Sequence, residues 1–66
     1  MSSADQLRQR VEPVECAAHH APVAMYEKES LGNEVTYECP TCGRAIALEL
    51  IGDTVERELV AEGELS

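Results

Sequence analysis

The chain has 66 residues, with 13 acidic against 5 basic side chains and a formal net charge of −8. Its length excludes a second domain, and with no Trp, no Phe and two Tyr its core is thin: domains of this size bury only about 60% of the surface their unfolded chains expose. The basic residues, Arg8, Arg10, Lys28, Arg44 and Arg57, are scattered, which disfavours binding of nucleic acid through phosphate neutralisation.

Residues 1–14 read as a disordered or frayed tail. Ser3 followed by Gln6 has the spacing of a capping box, with Leu7 and Val11 on one face of a short helix. Two apolar side chains are too few to hold it, and Pro13 ends the pattern; a docking helix is the minor reading. The first six residues lack the basic and apolar stretches of a secretory leader, and no apolar run is long enough to span a membrane. Three cysteines are an odd number, so they cannot make a closed disulfide framework without leaving one thiol over. Together these features lead us to expect a reducing, cytoplasmic setting, where cysteine pairs more often bind metal or carry redox chemistry.

Residues 15–61 read as one domain, followed by a short tail over 62–66. "VAMYEKE" (23–29) and "EVTYE" (34–38) are rich in Val, Tyr and Thr, and "SLGN" between them supplies turn residues, so the pair is predicted as a hairpin. "AIALELI" (45–51) alternates Ile46, Leu48 and Leu50 against Ala47 and Glu49, the period of a half-buried strand. For residues 54–60 two readings stand. Asp53 and Glu56 can cap a helix carrying Val55 and Leu59, with Gly63 as its stop. Alternatively Gly52-Asp53 is a two-residue turn, which sets Leu50 opposite Val55 and Ile46 opposite Leu59 and places Glu49 opposite Glu56. The strand is favoured. The expected fold is therefore small and all-β, with three to four antiparallel strands.

The chemistry lies in two short stretches, "ECAAHHAP" (15–22) and "ECPTCGRA" (38–45). Cys16-x-x-His19 aligns with Cys39-x-x-Cys42, and the predicted hairpin returns the second pair beside the first. The four side chains, Cys16, His19, Cys39 and Cys42, make a Cys3His set suited to one tetrahedral, structural Zn2+. In the second stretch loop N–H groups can turn toward the first thiolate. Pro40 fixes φ early in the loop, and Gly43 permits the left-handed conformation that sends the chain into the next strand. In the same alignment His20 falls where Gly43 stands, a position that histidine tolerates better than most residues; ligation through His20 at Cys-x3-His spacing stays open.

Bland alternatives exist for each residue. An isolated Cys-x-x-Cys is a redox motif in thioredoxin-like chains, but no βαβ pattern surrounds it here. Cys16 alone is a small buried hydrophobe, and either histidine alone is a surface residue. Their joint spacing around one hairpin favours the metal.

"CAAH", two strands, "CPTCGR" and a third strand resemble the zinc-ribbon (zinc β-ribbon) family. The acidic bias adds a resemblance to the very small CPxCG-type zinc-finger proteins of halophilic archaea. The resemblance covers Cys16 to about Ile51, and it implies two zinc knuckles with Cys16, His19, Cys39 and Cys42 as ligands. It departs from the common four-cysteine pattern at His19. The scarcity of lysine and surplus of acid suit a high-salt cytoplasm.

Four ligands leave no open position on the metal, and so short a chain has no room for a substrate pocket of the usual size. Glu15 and Glu38, the nearest candidate bases, are expected to face solvent, so an enzyme is not expected. A rubredoxin-like iron site is a rival, but it uses thiolates alone, and the imidazole moves this set toward zinc. Tyr26 and Tyr37 read as core cover rather than base-stacking platforms. The expectation is a small structural zinc-binding protein acting as an adaptor or regulator through protein contacts, in a setting of transcription or translation. The runner-up is a nucleic-acid-binding zinc ribbon working at high salt. No membrane is implied, and oligomeric state is not encoded legibly.

Overall fold

The computed structural model describes residues 3–18 and 20–63. The elements in chain order are one helix, α1 (Ser3–Val11), and six strands: β1 (Glu15–Cys16), β2 (Val23–Ala24), β3 (Tyr26–Leu31), β4 (Glu34–Glu38), β5 (Ala45–Ile51) and β6 (Thr54–Ala61). All strand pairings are antiparallel. β3-β4-β5-β6 form a four-stranded meander, and β1-β2 form a separate two-stranded ribbon. No helix among the described residues is long and apolar enough to cross a membrane.

Both connections in the meander that lack a metal motif are two-residue turns beginning with glycine. Gly32 and Gly52 have φ of 61° and 62°, and they close Leu31 onto Glu34 and Ile51 onto Thr54. Positive φ at the first turn position is the II′ geometry, whose twist matches that of paired strands. It settles residues 54–60 as strand in the register read from sequence: Leu50 faces Val55, Glu49 faces Glu56 and Ile46 faces Leu59. A bulge between Ala45 and Ile46 then shifts the pairing so that Ala45 meets Ala61.

The predicted strand over 23–29 divides at Met25. Val23 and Ala24 pair with Cys16 and Glu15, the Met25 N–H bonds to the Val14 carbonyl at 2.8 Å, and pairing with β4 begins at Tyr26 opposite Glu38. Met25 itself is buried. The division gives the first metal stretch its own small ribbon.

Period-two alternation carries the core. Val35 and Tyr37 of β4 lie on the same face as Ile46, Leu48 and Leu50 of β5, and all five are buried. α1 covers this face. Where sequence suggests a disordered or frayed tail over 1–14, Ser3–Val11 are helical and packed. The physical reason is a longer apolar stripe than Leu7 and Val11 alone: Ala4 and Leu7 are buried, Val11 packs against the cluster, and Val14 adds a fourth contact. Spacing of i, i+3 and i+7 sets the first three on one helical face. The polar face is tied down as well. Arg8 bridges Asp5 and Glu27, at 2.7 and 2.6 Å, and Arg10 donates to the Asp53 carbonyl at 3.0 Å. The Tyr37 hydroxyl donates to Glu12 at 3.0 Å, joining the end of the helix to the centre of the sheet.

β3 and β6 are the two edges of the meander. Every residue of β3 is exposed, and it is dressed with charge: Lys28 pairs with Glu38 at 3.0 Å, and Tyr26 donates to the same carboxylate. A bulge between Glu27 and Glu29 kinks this edge. Bulges and charges are common defences of an exposed strand.

Candidate metal centre

The meander and the ribbon each contribute half of one site. Cys16 ends β1, and the chain loops through residues 17–22 before β2 returns beside it. Cys39 and Cys42 sit in the loop between β4 and β5. That loop is built as the sequence suggests. The Cys39 N–H bonds to the Arg44 carbonyl at 2.8 Å and the Gly43 N–H to the Cys39 carbonyl at 3.0 Å. The Thr41 N–H points at the Cys39 sulfur, 3.4 Å away, and Gly43 turns the chain at φ 81°.

All three cysteines are free and buried. Their sulfurs converge with Nε2 of His20, and the four donor atoms lie within 4.8 Å of one another. Cys16 Sγ is 3.8 Å from Cys42 Sγ and 3.8 Å from His20 Nε2, and Cys39 Sγ is 3.3 Å from His20 Nε2. A disulfide would require a sulfur separation near 2.05 Å. A tetrahedral ion with Zn–S of about 2.3 Å and Zn–N of about 2.05 Å would set S···S near 3.8 Å and S···N near 3.6 Å. The observed separations match the first value and straddle the second. The four side chains therefore fit a four-coordinate metal ion.

The histidine reaching the sulfurs is His20. His19, the ligand favoured by sequence register, lies outside the described residues. The structural role considered for His20, a left-handed turn like that of Gly43, does not appear: no non-glycine residue among those described has positive φ. Instead its Nδ1 lies 2.7 Å from the Ala21 carbonyl. A carbonyl only accepts, so Nδ1 carries the proton and Nε2 is left to face the sulfurs. Orienting a ligand histidine through its other nitrogen is the usual outer-sphere device of metal sites. The signal available in sequence was the length of imidazole, which suits Cys-x3-His spacing.

The electrostatics agree with a cationic centre. Burial pushes the Cys39 thiol up, but the Cys42 and Thr41 N–H groups and the Cys42 and Cys16 thiols outweigh it and bring Cys39 down to about 6. For Cys16 the Ala18 N–H favours the thiolate, yet burial and the neighbouring cysteines win and its pKa rises. The Ala21 carbonyl, followed by the Cys42 sulfur, holds His20 up to about 9. The Cys39 thiolate thus attracts positive charge, a proton on His20 when no metal is present. Glu15 is exposed, and Glu38 is engaged by Tyr26 and Lys28, which lower its pKa; neither carboxylate is among the four clustered donors.

The fold and site define a small, mostly β domain with a Cys/His cluster able to hold a metal ion. Compared with models of known protein families, with curated proteins and with solved structures, the chain finds no match in any of the three.

Proposed function

We propose that the chain is a small structural zinc-binding domain of zinc-ribbon type, acting as an adaptor or regulator through protein contacts. The observation that carries the reading is the convergence of Cys16, His20, Cys39 and Cys42 at tetrahedral spacing. Three thiolates and one imidazole suit zinc better than the all-thiolate set of a rubredoxin-like iron site. Four donors close the coordination shell and leave no position for a substrate or an activated water, which favours a structural role over an enzymatic one. Zinc of this kind supplies folding free energy, on the order of 10 kcal/mol in small domains; the thin core gives this chain need of it.

An acidic surface with a single lysine favours partners with basic or mixed faces and suits a cytoplasm rich in salt. The link to transcription or translation rests on the resemblance to zinc ribbons alone. The test is an affinity pull-down at native salt with zinc-loaded protein, with and without nucleases. Protein partners retained after nuclease treatment support the adaptor, while partners that all disappear on nuclease treatment favour a nucleic-acid binder.

A further inference from the structure

Of the five basic side chains, three are engaged: Arg8 with Asp5 and Glu27, Arg10 with Asp53, and Lys28 with Glu38. The side chains of Arg44 and Arg57 have no ion pair or hydrogen bond among the described residues, despite 13 carboxylates in the chain. Both line the same groove of about 310 Å3, whose other walls include Met25, Ile46, Leu59 and Glu15. The groove opens beside β6, one of the two unpaired edges of the meander. Leu59 is 44% exposed there; α1 packs mainly over β4 and β5, and every residue of β6 except half-buried Val55 is exposed.

Strand alternation sorts β6 into two faces. Val55, Arg57 and Leu59 stand opposite Leu50, Leu48 and Ile46, on the groove side, while Glu56 and Glu58 stand opposite Glu49 and Ala47, on the other. An added strand continues both faces. Its groove-side residues complement β6 if they run apolar, acidic, apolar against Leu59, Arg57 and Val55. Its outer residues complement Glu56 and Glu58 if both are basic. This pattern, apolar-basic-acidic-basic-apolar, reads the same in both directions, so it serves either strand polarity. A second copy of β6 fails it. Centred on Arg57, antiparallel self-pairing puts Arg57 against Arg57 and Glu56 against Glu58, and directly opposed like charges destabilise a sheet.

We propose that the free edge of β6 and the adjoining Arg44/Arg57 groove receive an extended segment of a partner protein bearing that alternating pattern, added as a fifth strand. This deepens the adaptor reading and rests on it. The assignment uses charge complementarity at Glu56, Arg57 and Glu58 and an open sheet edge; the groove itself borders the metal centre, since Cys16 also lines it.

The test is titration of zinc-loaded, 15N-labelled full chain with acetyl-Thr-Val-Lys-Glu-Lys-Val-Thr-amide. Saturable amide shifts confined mainly to Thr54–Ala61, with slowed exchange on that strand, are the expected result. The charge-inverted peptide, with Glu-Lys-Glu at its centre, is expected to bind at least tenfold more weakly. Arg57→Glu is expected to weaken the first peptide tenfold or more and to strengthen binding of a Lys-Lys-Lys variant. No shift at millimolar peptide, or equal response to both charge patterns, overturns the proposal. So do β6 shifts that depend on protein concentration without peptide, which mark self-association, and groove shifts produced by a single-stranded oligonucleotide instead. Zinc content and the nuclease-treated pull-down separate this failure from failure of the adaptor reading: a partner still captured by Arg57→Glu protein defeats only the β6 site.

Discussion

Truncating Leu7 to alanine tests whether α1 belongs to the fold. Its side chain is fully buried, at 0% exposure, so Leu7→Ala forfeits the whole transfer term. Three carbons at about 0.8 kcal/mol each give roughly 2.4 kcal/mol. A rigid site would add a cavity term and carry the loss toward the upper part of the usual range, about 3–5 kcal/mol. α1 is held by few apolar anchors, Ala4, Leu7 and Val11, so it can shift or undock rather than leave a void. The expected loss is therefore near the lower end, about 2.5 kcal/mol. Because the helix contributes no metal donor, this loss should appear as local opening. Amide exchange of the zinc-loaded protein, followed by NMR, should accelerate roughly sixtyfold over Ser3–Val11, since each 1.4 kcal/mol is tenfold. Zinc should stay bound. Leu7→Met, which conserves volume, should cost less than about 1.5 kcal/mol. Exchange in α1 within twofold of the parent chain would refute the packing argument.

Gly63→Ala should loosen the second knuckle. A Cβ at this position would lie 2.8 Å from the Arg44 nitrogen and 2.8 Å from the Cys42 carbonyl oxygen, both main-chain atoms, at φ 81°. The left-handed conformation alone costs about 1–2 kcal/mol for a non-glycine residue, and thermal unfolding of the holo-protein should show at least that loss. At alkaline pH, stability should fall as Tyr37 ionises. Burial, with the Glu12 carboxylate, pushes its pKa up to about 12, so its contribution is complete below about pH 10 and lost as pH rises through 12. Its partner Glu12 is exposed, so solvent screens the pair and about 1–2 kcal/mol is expected rather than the full two pKa units. Tyr37→Phe should remove that slope in denaturant titrations from pH 9 to 12; an unchanged slope would exclude Tyr37 as its source. Cys16→Ser, Cys39→Ser and Cys42→Ser should each release the metal and collapse amide dispersion over residues 23–51, as should removal of the metal by EDTA. Any one of the three that keeps both zinc and a native spectrum is not a ligand.

The β5-β6 hairpin was legible in sequence only as the favoured of two readings, the other being a helix capped by Asp53 and Glu56. Gly52-Asp53 allows a two-residue turn, and once that turn is placed, period-two alternation leaves one register that keeps Ile46, Leu48 and Leu50 together. The Cys39-to-Gly43 turn was more legible, because Pro40 and Gly43 each have a backbone reason to stand in it. α1 was harder to read. Its docking depends on Ala4 and Val14, weakly apolar or outside the helix, and on Glu27, Tyr37 and Asp53, which come near only after the sheet forms. The split at Met25 was hidden for a related reason: residues 23–29 have uniform strand character, and the choice of partner for Val23 and Ala24 lies with Glu15 and Cys16. Register alone favoured His19, but it treats imidazole and thiol as equal in reach. The geometry of His20 shows what that equality overlooks. The groove between Arg44 and Arg57 had no local signal, since 12 residues of sequence separate the two arginines that line it.

The most direct test of the proposed zinc site is metal stoichiometry by native mass spectrometry on His20→Ala and His19→Ala, measured side by side with the parent chain after zinc loading. One zinc on the parent and on His19→Ala, with none or a strongly weakened ion on His20→Ala, is the expected result. Zinc retained by His20→Ala and lost from His19→Ala would contradict the site built from Cys16, His20, Cys39 and Cys42.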